Sequence, residues 1–165
     1  MKSSLVKLLP AALFATLSLS SLSWGVGKDD GHHHDHGAQP ASPAGEPGNP
    51  AKARKVIGVK MLDSMRFEPS EIRVKSGQTV KFTVTNAGAI RHEFGIGTEE
   101  GQKAHAEMML ADPDMKHEDG SVISVKPGET KELVWRFGKP GTYEAACQVP
   151  GHYPAGMMAR IVVTR

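Results

Sequence analysis

An all-β sandwich or barrel is the fold this sequence predicts for its C-terminal part, and three observations carry it. From Val56 onward, short runs alternate apolar and polar residues. Turns rich in Gly and Pro punctuate those runs at regular intervals. The length, 165 residues, allows one domain plus appendages. Period-two alternation puts apolar side chains on one face of a strand, and repeated short strands between turns build antiparallel sandwiches.

Residues 1–25 read as a signal peptide. Lys2 and Lys7 give a positive start, residues 8–22 are mostly apolar, and Ser21 with Ser23, or Ser23 with Gly25, supplies small residues before a cleavage point. A membrane span needs about 20 predominantly apolar residues, and this stretch is short and serine-rich, so cleavage is expected rather than anchoring. No cysteine follows it to carry a lipid.

Residues 26–55 read as a disordered His-rich leader. They hold Gly, Pro, Ala, Ser, Asp and His with almost no large apolar residue, too little to offset chain entropy. The run His32-His33-His34-Asp35-His36 can take Cu(II), Ni(II) or Zn(II) through neutral imidazoles without fixed geometry, or can serve as a solvated tract.

Residues 56–165 form the expected domain. Ile57, Val59 and Met61 alternate with Gly58 and Lys60; Ile72 and Val74 with Arg73 and Lys75; Val80, Phe82 and Val84 with Lys81, Thr83 and Thr85. Ser76-Gly77 is a turn between the last two runs. Residues 122–125, a turn at Lys126-Pro127-Gly128-Glu129, and residues 133–137 follow. Lys139-Pro140-Gly141 then turns into residues 142–147, and the chain ends on Ile161-Val162-Val163. Phe82, Trp135, Phe137 and Tyr143 read as core. One segment breaks the pattern. Thr98 is placed to cap a short helical insert reaching Ala111, with Glu99 and Glu100 favourably at its positive end and Pro113 stopping it. His105, Met108 and Met109 share one face by their spacing.

Lys and Arg number 20 against 18 Asp and Glu; Lys2 and Lys7 fall in the signal, which leaves the mature chain near neutral. That balance argues against nucleic acid as a partner. Cys147 is the one cysteine. In an exported chain cysteines usually pair, so a lone thiol is expected to be buried or bound to a metal.

Its neighbours favour metal. Cys147, His152 and Met157 stand in the spacing C-x4-H-x4-M, between one expected strand and the next. Pro150, Gly151, Pro154 and Gly156 can fold those three side chains toward one point. His92, after Asn86-Ala87-Gly88-Ala89, is placed to supply a fourth ligand. A thiolate and two imidazoles with a weak thioether form the type 1 copper set, whereas zinc rarely recruits Met.

The stretch Phe67-Glu-Pro-Ser-Glu-Ile-Arg-Val-Lys-Ser-Gly77, the residues from Asn86 to His92 and the Cys147–His152–Met157 loop resemble the plastocyanin/azurin cupredoxins, over about Val56 to Arg165. The resemblance implies a cupredoxin Greek-key β-sandwich with one copper at one end. It implies His92 and His152 as imidazole ligands, Cys147 as thiolate and Met157 as axial ligand. Glu93 stands where Asn or Asp is frequent in the family, and its backbone N–H can still reach the sulfur. Met158 follows Met157, so the axial position rests on spacing. Met65 is implied to lie toward the copper end.

Three further features together resemble the periplasmic copper-tolerance cupredoxins of the CopI type: the His-rich leader, the insert His105-x-x-Met108-Met109 to Met115-x-His117, and the Gly-His-Tyr-Pro-Ala-Gly-Met loop. The insert reads either as a second copper site at His105, Met108, Met109, Met115 and His117, or as a helix that buries Met and leaves His in solvent. The implied role is periplasmic copper binding in tolerance, with Cu(I)/Cu(II) cycling. The alternative is electron transfer to a transient partner through a patch of Met65, Tyr153, Pro154 and Ala155. A monomer, free of the membrane once the signal is cleaved, is expected. Outside the leader only His105 and His117 remain beyond the cupredoxin pair, thin for a catalytic copper cluster; Cu(I) oxidation at the type 1 centre stays open.

Overall fold

The structure is a computed structural model that describes residues 42–115, 117 and 120–165. The expected signal peptide and the histidine run at 32–36 lie outside the described residues. In chain order the strands are β1 (Gly45–Pro47), β2 (Lys55–Leu62), β3 (Arg66–Glu68), β4 (Glu71–Lys75), β5 (Thr79–Asn86), β6 (His92–Gly97), β7 (Val122–Val125), β8 (Thr130–Phe137), β9 (Gly141–Ala146) and β10 (Met158–Thr164). Among the described residues one α-helix, α1 (Glu99–Ala111), stands between β6 and β7.

The strands make two five-stranded sheets, ordered β1-β8-β5-β2-β3 and β4-β10-β9-β6-β7. Most neighbours are antiparallel, as the alternation predicts. Two pairs, β2 with β5 and β4 with β10, run parallel. Parallel neighbours need a crossover, and β3 and β4 intervene between β2 and β5, with β4 joining the opposite sheet.

Alternate residues from both sheets fill the space between them. Phe94 lies 5.5 Å from both Phe67 and Phe82, and Phe82 lies 6.2 Å from Phe137, ring centre to ring centre. Trp135 and Tyr143 are buried with them, as expected from the sequence. Each such side chain contributes about 1.5–3 kcal/mol by leaving water.

The domain starts earlier than the expected Val56. Within the stretch read as disordered, residues 42–55 hold β1, a 3-10 turn at Pro50–Lys52 and a buried Ala44. Trp135 Nε1 donates to the Ala44 carbonyl at 3.0 Å. Gly45 makes the approach to β8: at φ +125 a Cβ there would stand 2.1 Å from the Arg136 carbonyl. Small residues dock this strand by backbone proximity, so no apolar period announces it.

β6 is also absent from the sequence reading. Its residues from His92 to Ile96 are all buried, because the core covers one face and α1 packs over the other side of β6 and β9. A strand covered on both faces shows no alternation. The helix itself starts as expected, with Thr98 Oγ1 accepting from the Gly101 N–H at 3.0 Å. It docks through Met109, fully buried, and through a polar contact: Gln102 is buried and its Nε2 donates to the Gly95 carbonyl at 2.9 Å.

Candidate metal centre

Cys147 follows the last residue of β9, and His92 opens the neighbouring strand β6. Adjacent strands thus deliver a thiol and an imidazole to one end of the sandwich. The loop after Cys147 returns on itself. His152 N–H donates to the Val149 carbonyl at 2.9 Å, Gly156 N–H to Tyr153 at 2.9 Å, and Met157 N–H to His152 at 3.1 Å. Cys147 N–H donates to the Met157 carbonyl at 3.1 Å, which closes the loop at its base. Gly151 and Gly156 take φ of 89° and 95°, left-handed values that suit glycine.

The donor atoms converge. His92 Nδ1 and His152 Nδ1 are 3.2 Å apart, and Cys147 Sγ is 3.3 Å from His152 Nδ1. All three lie within 4.8 Å of one another. Cys147 and His92 are fully buried, and His152 is half-buried. Met157 is fully buried beside Cys147; Met158 is half-buried and already paired with Ala146 in β10. Arg66 Nη1 donates to the carbonyls of Met65 and Ala155, so Met65 lies beside the ligand loop.

Electrostatics prepare the donors. Burial pushes the Cys147 thiol up to about 11, against the pull of the Glu93 and Val149 N–H groups. A cation binding there must displace that proton. Burial, and then the charge of His92, push His152 down, which leaves a neutral imidazole with a free lone pair. Glu93 N–H donates to Cys147 Sγ at 3.2 Å, the contact the sequence admits. Two imidazoles, a thiol and a buried thioether are a donor set that suits copper in both oxidation states.

Sequence reasoning missed Asp63. Its Oδ1 accepts from His92 Nε2 at 3.0 Å, which fixes the proton on that nitrogen and turns Nδ1 to the centre. Asp63 Oδ2 in turn accepts from the Ala89 N–H at 2.6 Å. That bond and then His92 hold the Asp63 carboxyl below the usual carboxylate range. Asn86 secures the same loop: its Nδ2 donates to Ile90 and Val125 carbonyls, and its Oδ1 accepts from Gly88 N–H.

Of the residues that the sequence offers either for a second site or for a helix packing its Met inward, the two histidines meet. His105 and His117 approach to 3.3 Å between their Nε2 atoms. Met109 is fully buried outside the main core, and Met108 is half exposed. Met115 is half-buried. The third partner of the histidines is Glu93, also missed as a side chain in the sequence. His105, His117 and Glu93 form a group whose ligand atoms lie within 4.8 Å of one another.

Residues 53–164 match the family model of copper binding proteins, plastocyanin/azurin family. The "Copper-resistant cuproprotein CopI" of Rubrivivax gelatinosus is 44% identical over 153 residues, covering 93% of this chain and 92% of that protein. The protein of the same name from Vibrio cholerae serotype O1 is 40% identical over 139 residues, covering 77% of this chain and 82% of that one. Among solved structures, auracyanin B superposes with a TM-score of 0.62 at 19% identity, covering 76% of this chain and 100% of that one. The blue copper protein auracyanin A of Chloroflexus aurantiacus gives 0.55 at 28% identity, covering 66% and 98%.

Proposed function

The chain belongs to the plastocyanin/azurin family of copper-binding proteins, and on that premise we propose that it is a periplasmic type 1 copper protein that binds and redox-cycles copper in copper tolerance. The observation that carries this is the convergence of the Cys147 sulfur and the His92 and His152 Nδ1 atoms at one buried end of the sandwich. The tolerance role is supported by the relatives named copper-resistant, one of them matched over nearly its whole length. Export to the periplasm is supported by the signal pattern of residues 1–25.

Bound copper supplies a one-electron couple between Cu(I) and Cu(II). The chain supplies the rest. Cys147 would give up its proton to the ion and offer the soft donor. His92, aimed by Asp63, and His152 offer imidazoles that serve both oxidation states. Met157, buried where Met158 is half-buried, would supply the thioether. Glu93 N–H holds the sulfur in place.

Electron transfer is the second reading. It is favoured by the half-buried His152, flanked by exposed Pro154 and Ala155, which gives the centre an edge toward a partner. Cys147→Ala is expected to abolish the visible thiolate-to-copper band while the domain stays folded; a variant that kept the band would overturn the ligand assignment. A strain lacking the chain is expected to lose copper tolerance and to regain it from wild type but not from Cys147→Ala. Tolerance kept, with loss of a respiratory or photosynthetic electron flux, would favour electron transfer instead.

A further inference from the structure

Glu93 faces two ways. Its backbone N–H touches the Cys147 sulfur, while its side chain leaves the opposite face of β6 and ends beneath α1 and the segment that follows it. That carboxylate is fully buried. Oε1 accepts from Ser124 Oγ at 2.9 Å, but Oε2 has no hydrogen-bond partner. A buried carboxylate with an unsatisfied oxygen is costly unless a charge meets it.

What faces it are two nearly buried imidazoles. His117 Nε2 is 3.4 Å from Oε1 and His105 Nε2 is 3.9 Å from Oε2. The two Nε2 atoms stand 3.3 Å apart. Nitrogen and oxygen donors held tetrahedrally at bonds of about 2.0–2.1 Å are separated by about 3.3–3.4 Å. The two imidazole nitrogens, and His117 Nε2 with Glu93 Oε1, already stand at such a separation, while Oε2, which has no hydrogen-bond partner, lies 3.9 Å from His105 Nε2. His105, His117 and Met108 also line one groove open to solvent, which gives an ion a way in.

We propose that Glu93, His105 and His117 form a second metal site, for a borderline divalent cation of the Cu(II)/Zn(II) class, and that its occupancy tunes the type 1 centre through Glu93. Two imidazoles and a carboxylate are the donors such a cation takes. Of the residues the sequence offered for a second site this takes His105 and His117, and it adds the Glu93 carboxylate as the third ligand. A dication on the Glu93 carboxylate draws the adjoining N–H more firmly onto the Cys147 sulfur, lowers the electron density of the thiolate and favours Cu(I). The tuning rests on the copper reading of the first site; the second site itself does not.

The test uses the full mature chain, equilibrated by dialysis against buffered free Zn(II) after one Cu(II) per chain has been loaded. Metal per chain is measured for wild type, for the double variant His105→Ala/His117→Ala, and for Glu93→Gln. The leader contributes equally to all three. Wild type is expected to hold one more Zn(II) per chain than either variant, with affinity at that site falling at least tenfold. The thiolate-to-copper band of the double variant serves as its folding control. Filling the site in wild type is expected to shift that band and raise the reduction potential, with no such response in the double variant. Equal zinc in wild type and double variant, with the band intact, overturns the second site and leaves the first standing. Unchanged zinc in Glu93→Gln overturns the carboxylate as ligand. Extra zinc without a shift in band or potential overturns the tuning. A missing band in loaded wild type sinks the copper reading, whatever the zinc count.

Discussion

Asp63 acts on the centre through His92. With one carboxylate oxygen on the ring and the other on the loop that carries it, the imidazole has a single orientation open to it. Gly88 makes room for this, since a Cβ at that position would fall 1.9 Å from Asp63 Oδ1. Asp63→Ala is therefore expected to weaken copper binding about 10–100-fold, the usual cost of removing a partner that orients a metal-binding histidine. Competition with a chromophoric chelator measures it, and an unchanged affinity would mean that packing alone orients His92. The contrast with Cys147, His152 and Met157 shows what a sequence carries. Those three sit in one short loop whose prolines and glycines already imply a turn back on itself. Asp63 lies 29 residues from His92, in a turn where an acidic residue is unremarkable.

At the scale of elements, α1 depends on a polar key. Gln102 Nε2 reaches the Gly95 carbonyl on β6, and its Oε1 accepts from Gln148 Nε2 at 3.1 Å, one residue beyond Cys147. Gln102→Ala leaves these buried groups unpaired and is expected to cost about 1–3 kcal/mol in chemical denaturation. Amide exchange along α1 should quicken with it; exchange unchanged from wild type would show that Met109 alone docks the helix. The helix was legible in its cap, because Thr98 and the two glutamates that follow are a local signal. β6 was not, because core and helix cover both its faces and leave no alternation to read. β1 was hidden for the opposite reason: Ala44 and Gly45 bury almost no side chain and hold by close backbone contact.

For the molecule as a whole, the parallel seam between β4 and the C-terminal strand β10 carries a charge cluster. The Glu71 carboxylate meets Arg160 across the seam and Arg73 on its own strand, the latter at 2.7 Å. The hydrogen bond from Arg160, followed by the charge of Arg73, holds the Glu71 carboxyl below its ordinary value of 4.5. The folded state therefore prefers the ionised form. Its contribution is present above that ordinary value and is lost as pH falls through the lowered one. Wild type should lose more stability between about pH 7 and about pH 3 than Glu71→Gln does. The effect is modest because the pair is partly exposed. Urea midpoints at the two pH values measure it, and parallel losses in the two proteins would refute the assignment. This cluster joins the first half of the domain to its last strand, a pairing visible only once the order of strands is known.

His92 and Glu93 are neighbours in β6 that serve opposite faces of one sheet, so the loop ahead of them sets a parity. Between Asn86 and His92 the chain has five residues. Adding or removing one of them, with the strand sliding to keep its pairing, would turn the imidazole outward and bring the carboxylate in beside the sulfur. A change of two would restore the facing but carry both side chains about 6.6 Å along the strand, off both clusters. The loop is therefore constrained in its length as well as at Gly88. Any insertion or deletion that the strand takes up by sliding should erase both clusters at a stroke.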